Sequence, residues 1–217
     1  MYHRFLSFIS YLKQLTFWGG MILIAGNMAV NAQTFTSLSP TNPFLPEDEV
    51  IAKPIQGWVE FCEREPEECT IDLSEPSRLT LTPSIWKKIV HVNRLVNETI
   101  IQRTDMEIYA TEDLWTLPYN GEGDCEDFQL LKRHMLVKAG VPARTMRMTV
   151  VIDEEKQGHA VLMVLTDRGD FILDNKTSHV VTYDKTPYQY VKRESGTQIG
   201  WISFRGTSHQ PTVTANH

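Results

Sequence analysis

Cys125 is the residue whose type and setting most invite chemistry. It stands in Gly121-Glu122-Gly123-Asp124-Cys125-Glu126-Asp127-Phe128, a thiol set among acids and glycines. The two glycines make a permissive turn, and Asp124 suits a helix N-cap, with Asp127 three positions on as its capping-box partner. Cys125 then falls in the first helical turn, where free backbone N–H groups and the positive end of the helix dipole favour thiolate over thiol. The flanking acids act the opposite way and raise the thiol pKa unless a cation or an imidazolium offsets them. Cys125 is therefore either a nucleophile or a residue that simply follows a cap.

A nucleophilic thiol needs a base within hydrogen-bond reach and a third group to orient that base. Seven histidines are available. His3 lies near the N-terminus, and His209 and His217 lie in the C-terminal tail. His91 and His134 fall on expected helices, and His134 is ~13 Å along the helix from the cysteine. His179 follows an apolar run. His159, in Gly158-His159-Ala160-Val161-Leu162, stands at the mouth of an expected strand. Asp174 ends the run Phe171-Ile172-Leu173, an unexpected place for an acid unless it has a task or marks the strand end. A hairpin turn at Arg168-Gly169 sets Asp174 opposite Met163, on the same face as His159 because side chains alternate. Parity thus permits a His159–Asp174 pair. The four-residue offset, ~13 Å of flat strand, must be closed by a bulge, an asymmetric turn or twist.

The elements around these residues read as helices followed by strands, the order of an α+β domain. Gly57 to Cys69 reads as a short helix or turn. Pro83-Ser84 opens a helix with Ile85, Ile89, Val92, Val96 and Ile100 on one face and Trp86 at its edge. Asn93 and Asn97 read as a polar helix face. Residues 105–123 read as irregular. The cysteine helix carries Phe128, Leu131, Met135, Leu136 and Ala139 at helical spacing, and Gly140 and Pro142 end it. Strands are expected at 145–152, 160–166 and 171–174, with shorter edge strands at 180–183, 188–192 and 201–204.

The first 32 residues read as an export signal. Arg4 and Lys13 precede an apolar run from Leu15 to Val30, and Val30-Asn31-Ala32 offers a cleavage site before Gln33. An uncleaved membrane anchor is the alternative. Residues 33–56, rich in Thr, Ser, Pro and Asn, read as an extended, loosely held arm, 57–205 as the folded domain, and 206–217 as a frayed tail. The net charge is −6, and loss of Arg4 and Lys13 would make it −8, which argues against nucleic acid as a partner. An oxidising compartment favours a disulfide between Cys62 and Cys69, leaving Cys125 as the free thiol of the three cysteines. Three reduced thiols, or a bridge from Cys125 to Cys62 or Cys69, are the alternatives.

Trp115-Thr116-Leu117-Pro118, Gly121 to Phe128, Gly140-Val141-Pro142, Gly158 to Leu162 and Phe171-Ile172-Leu173-Asp174-Asn175 together resemble the bacterial transglutaminase-like cysteine proteinases. Members of that family include periplasmic proteases that cut large surface adhesins. The resemblance implies a papain-like, transglutaminase-like α+β fold, with the cysteine helix packed on an antiparallel β-sheet. It implies Cys125 as nucleophile, His159 as general base and then acid, and Asp174 as the group orienting His159. The chemistry needs no cofactor. Adhesin-cleaving relatives bind calcium through acids matching Asp124 and Glu126, with Glu122, Asp127 and carbonyls near Asn120 as further oxygen sources. The alternative is that these acids only cap the helix. Trp115 is a candidate for the cleft wall or for oxyanion stabilisation, with core packing as the competing reading. Asn175 either supports Asp174 or ends its strand. The expected activity is hydrolysis of a peptide bond in a periplasmic or surface protein, with an inhibitory membrane receptor as a further expected partner. Transamidation on the same residues, or a non-catalytic binding protein keeping the fold, are the alternatives.

Overall fold

Alternation of apolar residues builds a sheet, and period-3.6 stripes cover one of its faces. The computed structural model describes residues 43–46 and 50–204. The expected signal, the first ten residues of the arm and the tail from 206 onward lie outside the described residues. In chain order the elements are β1 (Val50–Ala52), α1 (Gln56–Arg64), α2 (Pro83–Thr99), β2 (Ile101–Gln102), α3 (Asp105–Tyr109), β3 (Glu122–Gly123) and α4 (Cys125–Lys138). They continue with β4 (Met146–Ile152), β5 (Gly158–Thr166), β6 (Gly169–Leu173), β7 (Val181–Thr182), β8 (Gln189–Glu194) and β9 (Trp201–Ser203).

Seven strands form one sheet in the order β1-β9-β8-β4-β5-β6-β7, with every neighbouring pair antiparallel. Met146, Met148, Val150, Leu162 and Val164 turn to one face and meet Ile89, Val92 and Val96 of α2 and Phe128, Leu130 and Leu136 of α4. Val151, Val161, Met163, Leu165 and Ile172 turn to the other face, where Leu45, Tyr190 and Phe204 cover them. The fold is thus the expected α+β arrangement, with the cysteine helix on an antiparallel sheet.

The six expected strands all form within a residue or two of their expected limits. Three features differ from the reading of the sequence. The arm is not wholly loose: Val50–Ala52 pairs with β9, and the Leu45 N–H reaches Asp170 Oδ2 at 2.8 Å. Residues 105–123 hold a helical turn, α3, opened by a capping box between Thr104 and Glu107, and β3, which pairs in parallel with β2. The third difference is α4, whose first two turns are buried almost all round, polar residues included, while Leu131 and Met135 are only half-buried.

The Cys62–Cys69 disulfide is present, and Cys125 is the free cysteine. The bridge ties α1 to the turn that follows it. His134 Nδ1 meets Glu68 Oε1 of that turn at 2.5 Å, so the disulfide loop also clasps the side of α4.

Candidate active site

Cys125 is the first residue of α4, and Asp124 is its N-cap by position. The expected capping box does not form. Asp124 turns away and accepts the Asp105 N–H at 3.3 Å, while Asp127 Oδ1 accepts the Thr116 N–H at 2.9 Å. Both glycines before the helix serve the turn. Gly121 takes φ +82°, and a Cβ on Gly123 would meet the Asp127 side chain at 2.7 Å.

The Cys125 thiol, 1% exposed, packs against Ala160, the residue after His159. The Ala160 N–H points at the sulfur and favours its thiolate. Burial, followed by the charges of Glu126 and Asp124, outweighs this and pushes the thiol well above its usual range. The helix terminus therefore does not by itself yield a thiolate. Sγ donates to Glu126 Oε2 at 3.2 Å rather than to an imidazole.

His159 and Asp174 meet directly, His159 Nε2 lying 2.9 Å from Asp174 Oδ1, with both residues buried. The offset expected from the sequence is resolved by the turn. Thr166 pairs with Gly169, so the hairpin turns at Asp167-Arg168, one residue earlier than expected. Continuing that register puts Asp174 opposite Val161, two residues from His159 instead of four. Burial pushes the Asp174 carboxyl up. Bonds from His159, from Tyr188 Oη at 2.5 Å and from the Lys176 N–H at 3.0 Å outweigh this and hold it below its ordinary value. The other ring nitrogen of His159, Nδ1, is buried and has no hydrogen-bond partner among the described residues.

Several supports were not read from the sequence. Tyr188 bonds Asp174 and sets its ring edge against His159, with ring centroids 5.6 Å apart. Asn97 Nδ2 holds the Asp174 carbonyl at 2.8 Å, so the supposed polar face of α2 fixes the backbone of the site. Asn175 lies past the end of β6 at Leu173, and its Oδ1 accepts Gln129 Nε2 of α4 at 3.3 Å. Trp115 is a core residue, fully buried, with Nε1 bonded to Asp113 Oδ1 at 2.9 Å and its ring edge-on to Trp201. Its indole N–H is therefore not free for an oxyanion.

Carboxylate oxygens of Asp105, Asp124 and Glu126 lie within 4.8 Å of one another, all three residues buried. Each keeps one buried oxygen with no hydrogen-bond partner among the described residues. Burial and mutual repulsion push Asp124 up to about 7 and Glu126 well above its ordinary value, and burial raises Asp105. Orphaned, closely set carboxylates to which no lysine or arginine among the described residues is bonded fit a hard divalent cation, which takes oxygen ligands. Asp105 belongs to this set in place of the expected Glu122, which pairs instead with Arg103 at 3.4 Å.

The family model for bacterial transglutaminase-like cysteine proteinases (BTLCP) matches residues 47–209. The chain belongs to this family. It is accordingly a cysteine peptidase of the transglutaminase-like kind. Among solved structures the chain is similar to Legionella pneumophila LapG at 28% identity, over 59% of this chain and 74% of that one, with a TM-score of 0.48. A calcium-bound form of the same protein aligns at 26% identity over 61% and 77%, TM-score 0.49. An EGTA-treated form aligns at 27% over 60% and 72%, TM-score 0.49. No curated protein matches this proteinase.

Proposed function

We propose that the proteinase is exported and cuts a peptide bond of a periplasmic or surface protein with Cys125, His159 and Asp174. The observation that carries this is the 2.9 Å His159–Asp174 contact beside the Ala160 amide that touches Cys125 Sγ. It binds one imidazole nitrogen to a carboxylate and leaves Nδ1 for the thiol and the substrate.

In this reading Nδ1 takes the thiol proton as Sγ adds to the substrate carbonyl carbon. The carbonyl oxygen becomes an oxyanion beside the N–H of Cys125 at the helix start. The resulting imidazolium, steadied by Asp174, returns its proton to the leaving amine as the C–N bond breaks, giving a thioester. His159 then takes a proton from water as the water oxygen adds to the thioester carbon; the C–S bond breaks, the acid product leaves, and His159 returns the proton to the sulfur. Tyr188 and Asn97 keep Asp174 in place throughout.

Asp105, Asp124 and Glu126 would hold calcium. A bound cation offsets the negative charge that raises the Cys125 thiol. Drawing Glu126 into a coordination sphere would also remove the acceptor that now holds the thiol.

The test compares the N-termini of surface and periplasmic proteins from cells carrying the parent, Cys125→Ala or His159→Ala chain. New N-termini that occur only with the parent support the reading, and identical sets overturn it. Incorporation of an added amine into the same substrate, in place of cleavage, would assign transamidation.

A further inference from the structure

Away from Cys125, a second concave region stands out by its charge. It is a cavity of about 480 Å³ bordered by β4, β5, β8, β9 and the loop between β8 and β9. Four guanidinium groups line it, those of Arg78, Arg144, Arg147 and Arg193, and among the described residues no aspartate or glutamate does. The chain as a whole carries a net charge of −6, so this concentration of positive charge runs against its composition. Like charges gathered round one cavity repel one another, and an anion seated among them removes that cost.

The local structure holds these groups in place. Arg147 of β4 stands opposite Met163 of β5, and Arg193 of β8 reaches Met163 Sδ with Nη1 at 3.3 Å while lying over the Phe204 ring. Both are buried, at 5% and 2% exposure, so water screens their charge weakly. Arg144, in the turn before β4, gives Nε to the Gly196 carbonyl at 3.0 Å and Nη1 to the Glu75 carbonyl at 2.7 Å. Arg147 Nη1 meets the Met146 carbonyl and Arg78 Nη1 the Thr166 carbonyl, each at 2.7 Å. Bonds to neutral carbonyls orient a guanidinium and leave its charge in place. Asp170, paired with Arg78 at 2.7 Å, offsets one of the four charges. Gly196 matters here, because a Cβ on it would lie 2.3 Å from Arg147 Nη2. The absence of a side chain lets the β8–β9 loop lie against that guanidinium.

We propose that this cavity binds a small organic phosphate ester, with the phosphate among Arg144, Arg147 and Arg193. Guanidinium forks match the oxygens of phosphate or carboxylate with paired, charge-assisted bonds. Groups from two strands and a turn suit a tetrahedral phosphate better than a planar carboxylate. The volume is that of a small-molecule site and exceeds what a lone ion fills. Leu165 and Ile202, which also line it, give the organic part an apolar wall. The site is separate from the peptidase residues, for Leu165 lies ~20 Å of strand from His159 along β5.

The alternative is that the four arginines only pin loops to the sheet. Calorimetric titration separates the two, at about pH 7.5, where a phosphate monoester carries nearly two charges. Phenyl phosphate, inorganic phosphate and benzoate are titrated into the protein without added calcium. We expect phenyl phosphate to bind with a Kd of about 1 mM or tighter, ahead of both other compounds. Arg147→Gln should weaken it about tenfold or more, the scale of one charge-assisted bond. Gly196→Ala keeps every charge but displaces the Arg147 guanidinium, and should weaken binding too, which covers the case of an unfolded Arg147→Gln chain. Affinity within about twofold of the parent in the folded variants would overturn the proposal, leaving an adventitious ion only. Absence of binding at about 10 mM would also overturn it. Benzoate or inorganic phosphate binding as tightly as phenyl phosphate would overturn the assignment to a phosphate ester.

Discussion

Glu194 offers the sharpest stability test of how α4 is held on the sheet. Its carboxylate accepts Trp58 Nε1 of α1 at 2.6 Å, Arg133 Nη1 of α4 at 2.9 and 2.8 Å, and the Met148 N–H of β4 at 2.8 Å. One buried side chain on β8 thus joins two helices and a neighbouring strand. Glu194→Gln keeps the shape but sets an amide against a guanidinium that is 5% exposed, with Nε and Nη2 already unpartnered. Breaking a buried pair by removing one partner's charge costs about 3–5 kcal/mol. For a domain of this size that lowers Tm by roughly 6–20 °C. Urea unfolding followed by the near-UV signal of the Trp58–Trp115–Trp201 group reads the change. Arg133→Met in the Glu194→Gln background removes the stranded charge and should recover about half of the loss. A single variant within about 1 kcal/mol of the parent would refute the reasoning.

Further expectations concern charge, metal and disulfide. Because the folded pKa of Lys132 lies below its unfolded value, the unfolded chain takes up a proton between about pH 7 and 10.5. The stability penalty is therefore full below pH 7 and fades as pH rises. Lys132→Met should be more stable than the parent at pH 6, by an upper limit of about 5 kcal/mol, with the advantage vanishing near the unfolded lysine pKa; urea midpoints at pH 6 and 9.5 check this. Calcium at about 100 times its Kd should add about 2.7 kcal/mol, raising Tm by roughly 5–10 °C. Asp105→Asn with Asp124→Asn should abolish that response, and identical parental melts with and without chelator would count against the metal. Peptide mapping without reduction should find Cys62 linked to Cys69 and Cys125 free, and reduction should cost roughly 2–3 kcal/mol for so short a loop.

Legibility in the sequence follows how local each signal is. Strands β4, β5 and β6 are continuous apolar runs between turn residues, and Ile89, Val92 and Val96 mark the buried stripe of α2. Strand β1 was hidden because Val50 and Ile51 are exposed at 62% and 74%, leaving an edge strand without an apolar face to announce it. The His159–Asp174 pair was legible in residue type and parity, but its spacing turned on a hairpin shifted by one residue. Asp105 could not be tied to Asp124, since their meeting depends on β2 pairing with β3. The Thr104–Glu107 capping box was a local signal that could have placed α3 there. Tyr188 carries no sequence mark of its role, which arises only once the segment before β8 reaches Asp174.

The central claim is that His159, oriented by Asp174, activates Cys125. The direct measurement is the rate of Cys125 alkylation by a small neutral thiol reagent, with calcium present, in the parent, His159→Ala and Asp174→Asn proteins. General-base assistance of the usual size predicts a loss of about 100-fold or more in His159→Ala, with Asp174→Asn also slowed. Labelling of Cys125 at the parent rate in folded His159→Ala protein would contradict the account.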